Sequence, residues 1–152
     1  MRHLLLFLHM LGFVLWLGGG LAAMNLGIAM RSAPPADLPV LLRIMGRVYR
    51  GLLLPGVLLG VISGLLLTLR LYGSALGTNG YPVALMVMQG AGLLAAGIVL
   101  GVSLPTVTRL GRLDPTGAQA PLFAALRNRA AIAGAVAGIL ALIALLAGAL
   151  MH

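Results

Sequence analysis

Two residues within apolar stretches of this 152-residue chain, His9 and Met86, carry side chains that can bind a metal ion or a haem iron. An imidazole nitrogen and a thioether sulfur form a known axial pair on haem iron, and both groups also suit Cu(I). His9 follows Arg2 by seven residues, and Met86 follows Tyr81 by five. At about 1.5 Å per helical residue, both lie roughly 7–11 Å below one membrane surface. The two residues therefore predict a shared site for haem, with copper as the alternative.

Trp16 and Arg70 are assigned to the same predicted cofactor site. Trp16 lies seven residues after His9, two helical turns along the same face, so it is expected to pack inside, against a flat ring. Arg70 is the one arginine of its bundle end besides Arg2, and its guanidinium could bind a haem propionate. The alternative for His9 is a structural hydrogen bond to a neighbouring helix, and His152 is a competing ligand.

Glycines recur along one face of each apolar stretch, and small residues mark the faces where membrane helices approach closely. The four stripes are Gly12, Gly19, Gly20 and Ala23; Gly56, Gly60 and Gly64; Gly90, Gly97 and Gly101; and Gly134, Gly138 and Gly148. His9 and Met86 lie on the glycine side of their stretches, whereas Met88 points nearly the opposite way. The pattern predicts that His9 and Met86 face the interior of a bundle.

The stretches that must position these residues span 3–30, 51–72, 82–110 and 130–151. Each exceeds the roughly 20 residues that a helix requires to cross the hydrocarbon core of a bilayer. Because 61% of the chain is hydrophobic and 8% is charged, a water-soluble core of this size is excluded. A backbone in lipid must satisfy its own hydrogen bonds, so the stretches must be helices. We therefore expect an all-α, integral membrane four-helix bundle with a single domain, 1–152.

The arginines predict the orientation of the bundle in a bacterial inner membrane. Eight of the ten flank the two connections on one side: Arg31, Arg43, Arg47, Arg50, Arg109, Arg112, Arg127 and Arg129. Because basic residues accumulate on the cytoplasmic side, both termini are expected on the non-cytoplasmic side. The net charge of +8 is thus explained by membrane topology rather than by nucleic-acid binding. Lipid is the expected partner.

The few reactive residue types narrow the chemistry further. The chain has no cysteine, which excludes disulfides, thiolate metal sites and a cysteine nucleophile. Its two acidic residues, Asp37 and Asp114, lie in the predicted cytoplasmic connections. No arrangement of serine and acidic residues therefore supports hydrolysis, and no catalytic residue is assigned.

Four short motifs, distributed over most of the chain, carry a resemblance to a known group of membrane proteins. They are His9 with Trp16-Leu17-Gly18-Gly19; Arg47-Val48-Tyr49-Arg50 with Pro55 and Gly64; Tyr81 followed by Met86; and Leu126-Arg127-Asn128. With these residues the chain resembles HemJ-type protoporphyrinogen oxidases and the related CopD-like copper-resistance proteins. The resemblance implies that His9 ligates haem b. The lysine of that group's third helix has no counterpart, because this chain lacks lysine. The resemblance thus implies haem binding rather than the oxidase activity.

Three functions follow from these residues. The preferred one is a haem-b-binding membrane protein that acts as a redox or electron-transfer accessory subunit, with His9 and Met86 as metal ligands. The second is a copper-handling transport protein that also recruits Met10, beside His9. The third is a cofactor-free structural subunit that packs through its glycine faces against other membrane subunits or a second copy of itself.

Overall fold

The computed structural model describes residues 2–73 and 81–150, and its regular structure within these ranges is entirely helical. Four helices in it are long and apolar enough to cross a membrane: α1 Arg2–Ser32, α2 Leu38–Tyr72, α3 Val83–Leu110 and α4 Gly117–Ala149. The prediction of an all-α protein with four helices long and apolar enough to span a membrane is confirmed.

Two of the helices begin well before the apolar stretches predicted from the sequence. The first segment of α2, Leu38–Val48, is amphipathic and buries Leu38, Leu42 and Met45. It continues without a break into the apolar part, as the arginine-rich sequence indicates. The main α-helical part of α4 begins at Ala120, ten residues before the predicted span, with Pro121 in its first turn. A proline is tolerated there because its missing N–H would have no partner inside the helix.

A single π-helical turn interrupts each of the two middle helices. The turn in α2 is Tyr49–Leu53 and the turn in α3 is Val99–Ser103. Pro55 and Pro105 follow them at equal distances, and each lacks the N–H that a regular helix would donate to the carbonyl four residues back. The chain accommodates each proline by widening the turn before it, so that the residue after the turn bonds to a carbonyl five residues back.

The helices pack as two tight antiparallel pairs, α1 with α2 and α3 with α4. The smaller interfaces join α2 to α3 and α1 to α4. The best-buried core side chains include Val57 of α2, Ala95 of α3 and Ala141 of α4. Many large apolar side chains are exposed on the bundle exterior, as expected where lipid is the solvent.

The predicted packing of the α2 glycines is confirmed. A Cβ added at Gly56 would lie 2.6 Å from the backbone nitrogen of Trp16, and one added at Gly12 would overlap the backbone of Gly60. A Cβ added at Gly60 would lie 3.9 Å from the backbone of Gly12 and 4.0 Å from the Trp16 ring, and one added at Gly64 would meet the His9 ring. Glycine is therefore required where α1 and α2 bring their backbones together.

The predicted packing of the glycines in α3 is wrong, and that of α4 is largely so. Gly90, Gly97 and Gly101 are exposed, and a Cβ at any of them would meet open space, as it would at Gly134 and Gly138. Alanines form the α3–α4 contact instead. The buried alanines of these helices are Ala91, Ala95, Ala96, Ala133, Ala137, Ala141, Ala144 and Ala147. The methyl side chain is small enough for close helix approach, so the two helices present their alanine faces to each other.

Candidate functional site

His9 lies at the interface of α1 and α2, half-buried, with its ring against glycine. Its Nδ1 is 2.9 Å from the carbonyl oxygen of Gly60. A Cβ at Gly64 would lie 2.8 Å from Cε1 of the imidazole and 3.0 Å from Nδ1. The ring thus occupies a cleft that exists because both positions on α2 lack a side chain.

The hydrogen bond to Gly60 fixes which nitrogen of His9 is available for other chemistry. A carbonyl oxygen only accepts, so Nδ1 must carry the proton and donate it. In the neutral ring Nε2 then keeps its lone pair, and no hydrogen bond joins it to the described part of the chain. Metal-ligating histidines commonly donate their other ring N–H to a backbone carbonyl in this manner. The arrangement therefore suits a ligand role for Nε2.

Trp16 is confirmed as an interior residue. It is 5% exposed and packs on the glycine face of α2. Phe13 lies between it and the imidazole, with ring centroids 6.1 Å from His9 on one side and 6.1 Å from Trp16 on the other. The aromatic contacts thus continue from His9 along α1, and Trp16 at their far end is already packed against α2.

Met86 does not face the interior as predicted. Its side chain is 49% exposed and shares the open face of α3 with Gly90 and Gly97. Met88 faces α4 instead, since a Cβ at Gly148 would lie 3.2 Å from its sulfur. The physical reason is the alanine contact, which turns the opposite face of α3 toward α4. The inward placement is wrong, while the ligand role of Met86 stays a prediction.

The other two residues considered for the site are Arg70 and His152. Arg70 is exposed in the last turn of α2, at the end of the bundle where α1 begins. Its role toward a propionate stays a prediction. His152, the competing ligand, lies outside the described residues.

A network of hydrogen bonds that was not predicted from the sequence links α2 to α3 beside the His9 cleft. Gln89 donates from Nε2 to Thr68 Oγ1 at 2.7 Å, and Thr68 donates to the carbonyl of Gly64 at 3.0 Å. Tyr81 donates its hydroxyl proton to Gln89 Oε1 at 2.6 Å. Gln89 is an amide side chain isolated within the apolar part of α3. Its isolation is the feature of the sequence from which these hydrogen bonds could have been expected. These hydrogen bonds hold α3 against Gly64, the glycine that contacts the His9 ring.

Replacing Gln89 with leucine is expected to lower the free energy of unfolding by about 1 kcal/mol, because interhelical hydrogen bonds in membranes contribute roughly 0.6–1.7 kcal/mol. The measurement is unfolding in detergent of the single variants Gln89→Leu and Thr68→Val and of the double variant. A coupling free energy near zero in this cycle would show that the Gln89–Thr68 contact contributes nothing.

Among the described residues, no group of three or more histidine, cysteine, aspartate or glutamate side chains could hold a metal ion. The chain matches no protein-family model, no curated protein and no solved structure.

Proposed function

We propose that this chain is a membrane protein that binds haem b through His9 and acts as a redox or electron-transfer accessory subunit. The observation that carries the proposal is the Nδ1–H hydrogen bond of His9 to the Gly60 carbonyl, which leaves Nε2 for iron. Bound haem b would supply one-electron transfer, which its axial ligands and surroundings tune.

The residues around His9 fit such a group on one side. Gly60 orients the imidazole, Gly64 leaves space for it, and the Phe13 ring lies next to it. The Nδ1 hydrogen bond fixes the tautomer and holds the ring in one orientation. Met86 is proposed as the second ligand on chemical grounds, and Arg70 as the propionate partner. Neither has a contact that supports it.

The two alternatives are supported less well. Copper handling would recruit Met10 and Met86, whose side chains are 52% and 49% exposed on the exterior of the bundle. A cofactor-free structural subunit is compatible with the hydrogen bond of His9 to Gly60, and the open glycine face of α3 could meet another membrane subunit or a second copy. That reading leaves the free Nε2 without a role.

The proposal places the protein in a bacterial inner membrane with both termini outside the cytoplasm. Eight arginines lie on the side of the two connections near residues 33–37 and 111–116, against Arg2 and Arg70 on the other. A reporter that is active only in the cytoplasm, fused after His152, is expected to stay silent. The same reporter inserted in the 111–116 connection is the positive control. A strong signal from the fusion after His152 would reverse the orientation.

The experiment that tests the function is a reduced-minus-oxidised absorption spectrum of the purified protein, with metal analysis of the same sample. The proposal predicts b-type bands and iron near the amount of protein. Copper without haem bands would support the transport alternative, and neither metal would support the structural one.

A further inference from the structure

A second polar feature lies at the opposite end of the bundle from His9, between the start of α2 and the end of α3. It is a cavity of about 780 Å³. Arg43, Arg47 and Arg50 line its α2 wall, and Arg112 lines the wall that follows α3. A volume of this size falls in the range of sites that hold small molecules.

The charges around this cavity are not neutralised by acidic lining residues. Arg43, Arg47 and Arg50 are spaced four and three residues apart, so they share one helix face, where like charges repel. No acidic residue is among the lining residues. The cavity thus concentrates positive charge from two helices around open space, and an anion placed there would relieve the repulsion.

Asp114 lies near this end of the bundle, but its carboxylate already accepts two hydrogen bonds. Thr116 donates to Oδ1 from its hydroxyl at 2.6 Å and from its backbone N–H at 2.9 Å. These hydrogen bonds favour the ionised carboxylate and lower the pKa of Asp114 below its usual range. Asp114 therefore closes its own turn instead of pairing with the arginines.

The shape of the cavity leaves room for a bulky anion. Gly46 and Gly51 line the α2 wall, and no atom of another residue would contact a Cβ at either position. Gly51 belongs to the π turn of α2, and such widened turns occur frequently at functional sites. On the α3 side Thr108 contributes to the lining. The open space beside the two glycines and the arginines around it therefore suit a highly charged anion.

We propose that this cavity binds a phosphate-bearing anion through the guanidinium groups of Arg43, Arg47, Arg50 and Arg112. The planar guanidinium fork matches the oxygens of a phosphate and can bind them in pairs. In a membrane, the phosphate of an anionic phospholipid headgroup and a free phosphate offer the same chemistry. The site is distinct from the His9 cleft and does not depend on haem.

The test is the thermal unfolding of the purified full-length protein in neutral detergent with three additives. These are phosphatidylglycerol, phosphatidylcholine and inorganic phosphate, each titrated against wild type, Arg47→Gln and the matched control Arg129→Gln. Arg129 carries the same charge at the same end of the bundle but does not line the cavity. Phosphatidylglycerol is expected to raise Tm, and phosphatidylcholine is not. Arg47→Gln should raise the lipid concentration for half of that shift about tenfold, since a charge-assisted hydrogen bond is lost.

The outcomes distinguish the source of the anion from the existence of the site. A Tm rise with inorganic phosphate that Arg47→Gln weakens and Arg129→Gln retains would support the site and assign it to soluble phosphate. Equal weakening in both variants, or no rise with either phosphate source, would overturn the proposal. If Arg47→Gln does not fold, Arg112→Gln repeats the test from the other wall of the cavity.

Discussion

Replacing Gly56 with alanine is expected to lower the free energy of unfolding by about 1–3 kcal/mol, the usual cost of forcing extra volume into a packed interior. The added Cβ would lie 2.6 Å from the backbone nitrogen of Trp16 and 3.0 Å from the carbonyl oxygen of Gly12. Both are backbone atoms of α1, so no side-chain rotation can relieve the contact and the helices must separate. The measurement is reversible unfolding in mixed detergent.

Gly97→Ala is the matched control for Gly56→Ala. It adds the same methyl group in a membrane helix, but at a position on α3 where a Cβ meets open space. Alanine has the higher helix propensity, so this variant is expected to unfold at the wild-type midpoint or above it, by up to about 1 kcal/mol. A Gly56→Ala protein as stable as Gly97→Ala would contradict the close contact of α1 with α2.

Replacing His9 with alanine is expected to abolish haem retention, because it removes the imidazole that the proposal places on the iron. Gly64→Ala should weaken haem binding by about 10–100-fold, the usual effect of changing a residue that supports a metal ligand. Its Cβ would lie 2.8–3.0 Å from the imidazole and displace the ring from the Gly60 carbonyl. The measurement is the ratio of haem to protein after purification with haem supplied.

His3→Ala is the control for both variants, because His3 lies on the same helix and is exposed. It should retain haem at the wild-type ratio. Loss of haem in all three variants would indicate a general effect on the bundle, and retention of haem in His9→Ala would place the ligand elsewhere.

The number of helices and the α1–α2 interface could be predicted because both depend on strong local signals. Hydropathy defines each span, and three glycines at four-residue spacing on α2 permit a backbone contact that few other residues allow. His9 and Trp16 were placed correctly because they lie on the face of α1 that meets these glycines.

The α3–α4 interface could not be predicted in the same way. Both faces of a membrane helix are apolar, so periodicity does not tell which one meets protein and which meets lipid. Alanine and glycine both permit close packing, and α3 carries each on a different face. Choosing the glycine face reversed the placements of Met86 and Met88. Which face of α3 meets protein is decided by contacts with the other helices, and those helices are distant in the sequence.

The π turns and the arginine-lined cavity could not be predicted from the sequence either. Pro55 and Pro105 signal a disturbed helix, but a kink, a break and a widened turn begin from the same sequence pattern. The spacing of Arg43, Arg47 and Arg50 places them on one helix face, and their charge predicts the cytoplasmic side. That Arg112 lies across a cavity from them depends on how α2 packs against α3.

The central claim is that the Nε2 atom of His9 binds haem iron. The most direct test is pulsed electron paramagnetic resonance of the oxidised protein, prepared with ¹⁵N-labelled histidine and compared with the His9→Ala variant incubated with the same amount of haem. The account predicts a ¹⁵N hyperfine coupling from a histidine nitrogen bound to the iron in wild type, and its loss in the variant. The same coupling in His9→Ala, or a wild-type protein that takes up no haem, would contradict it.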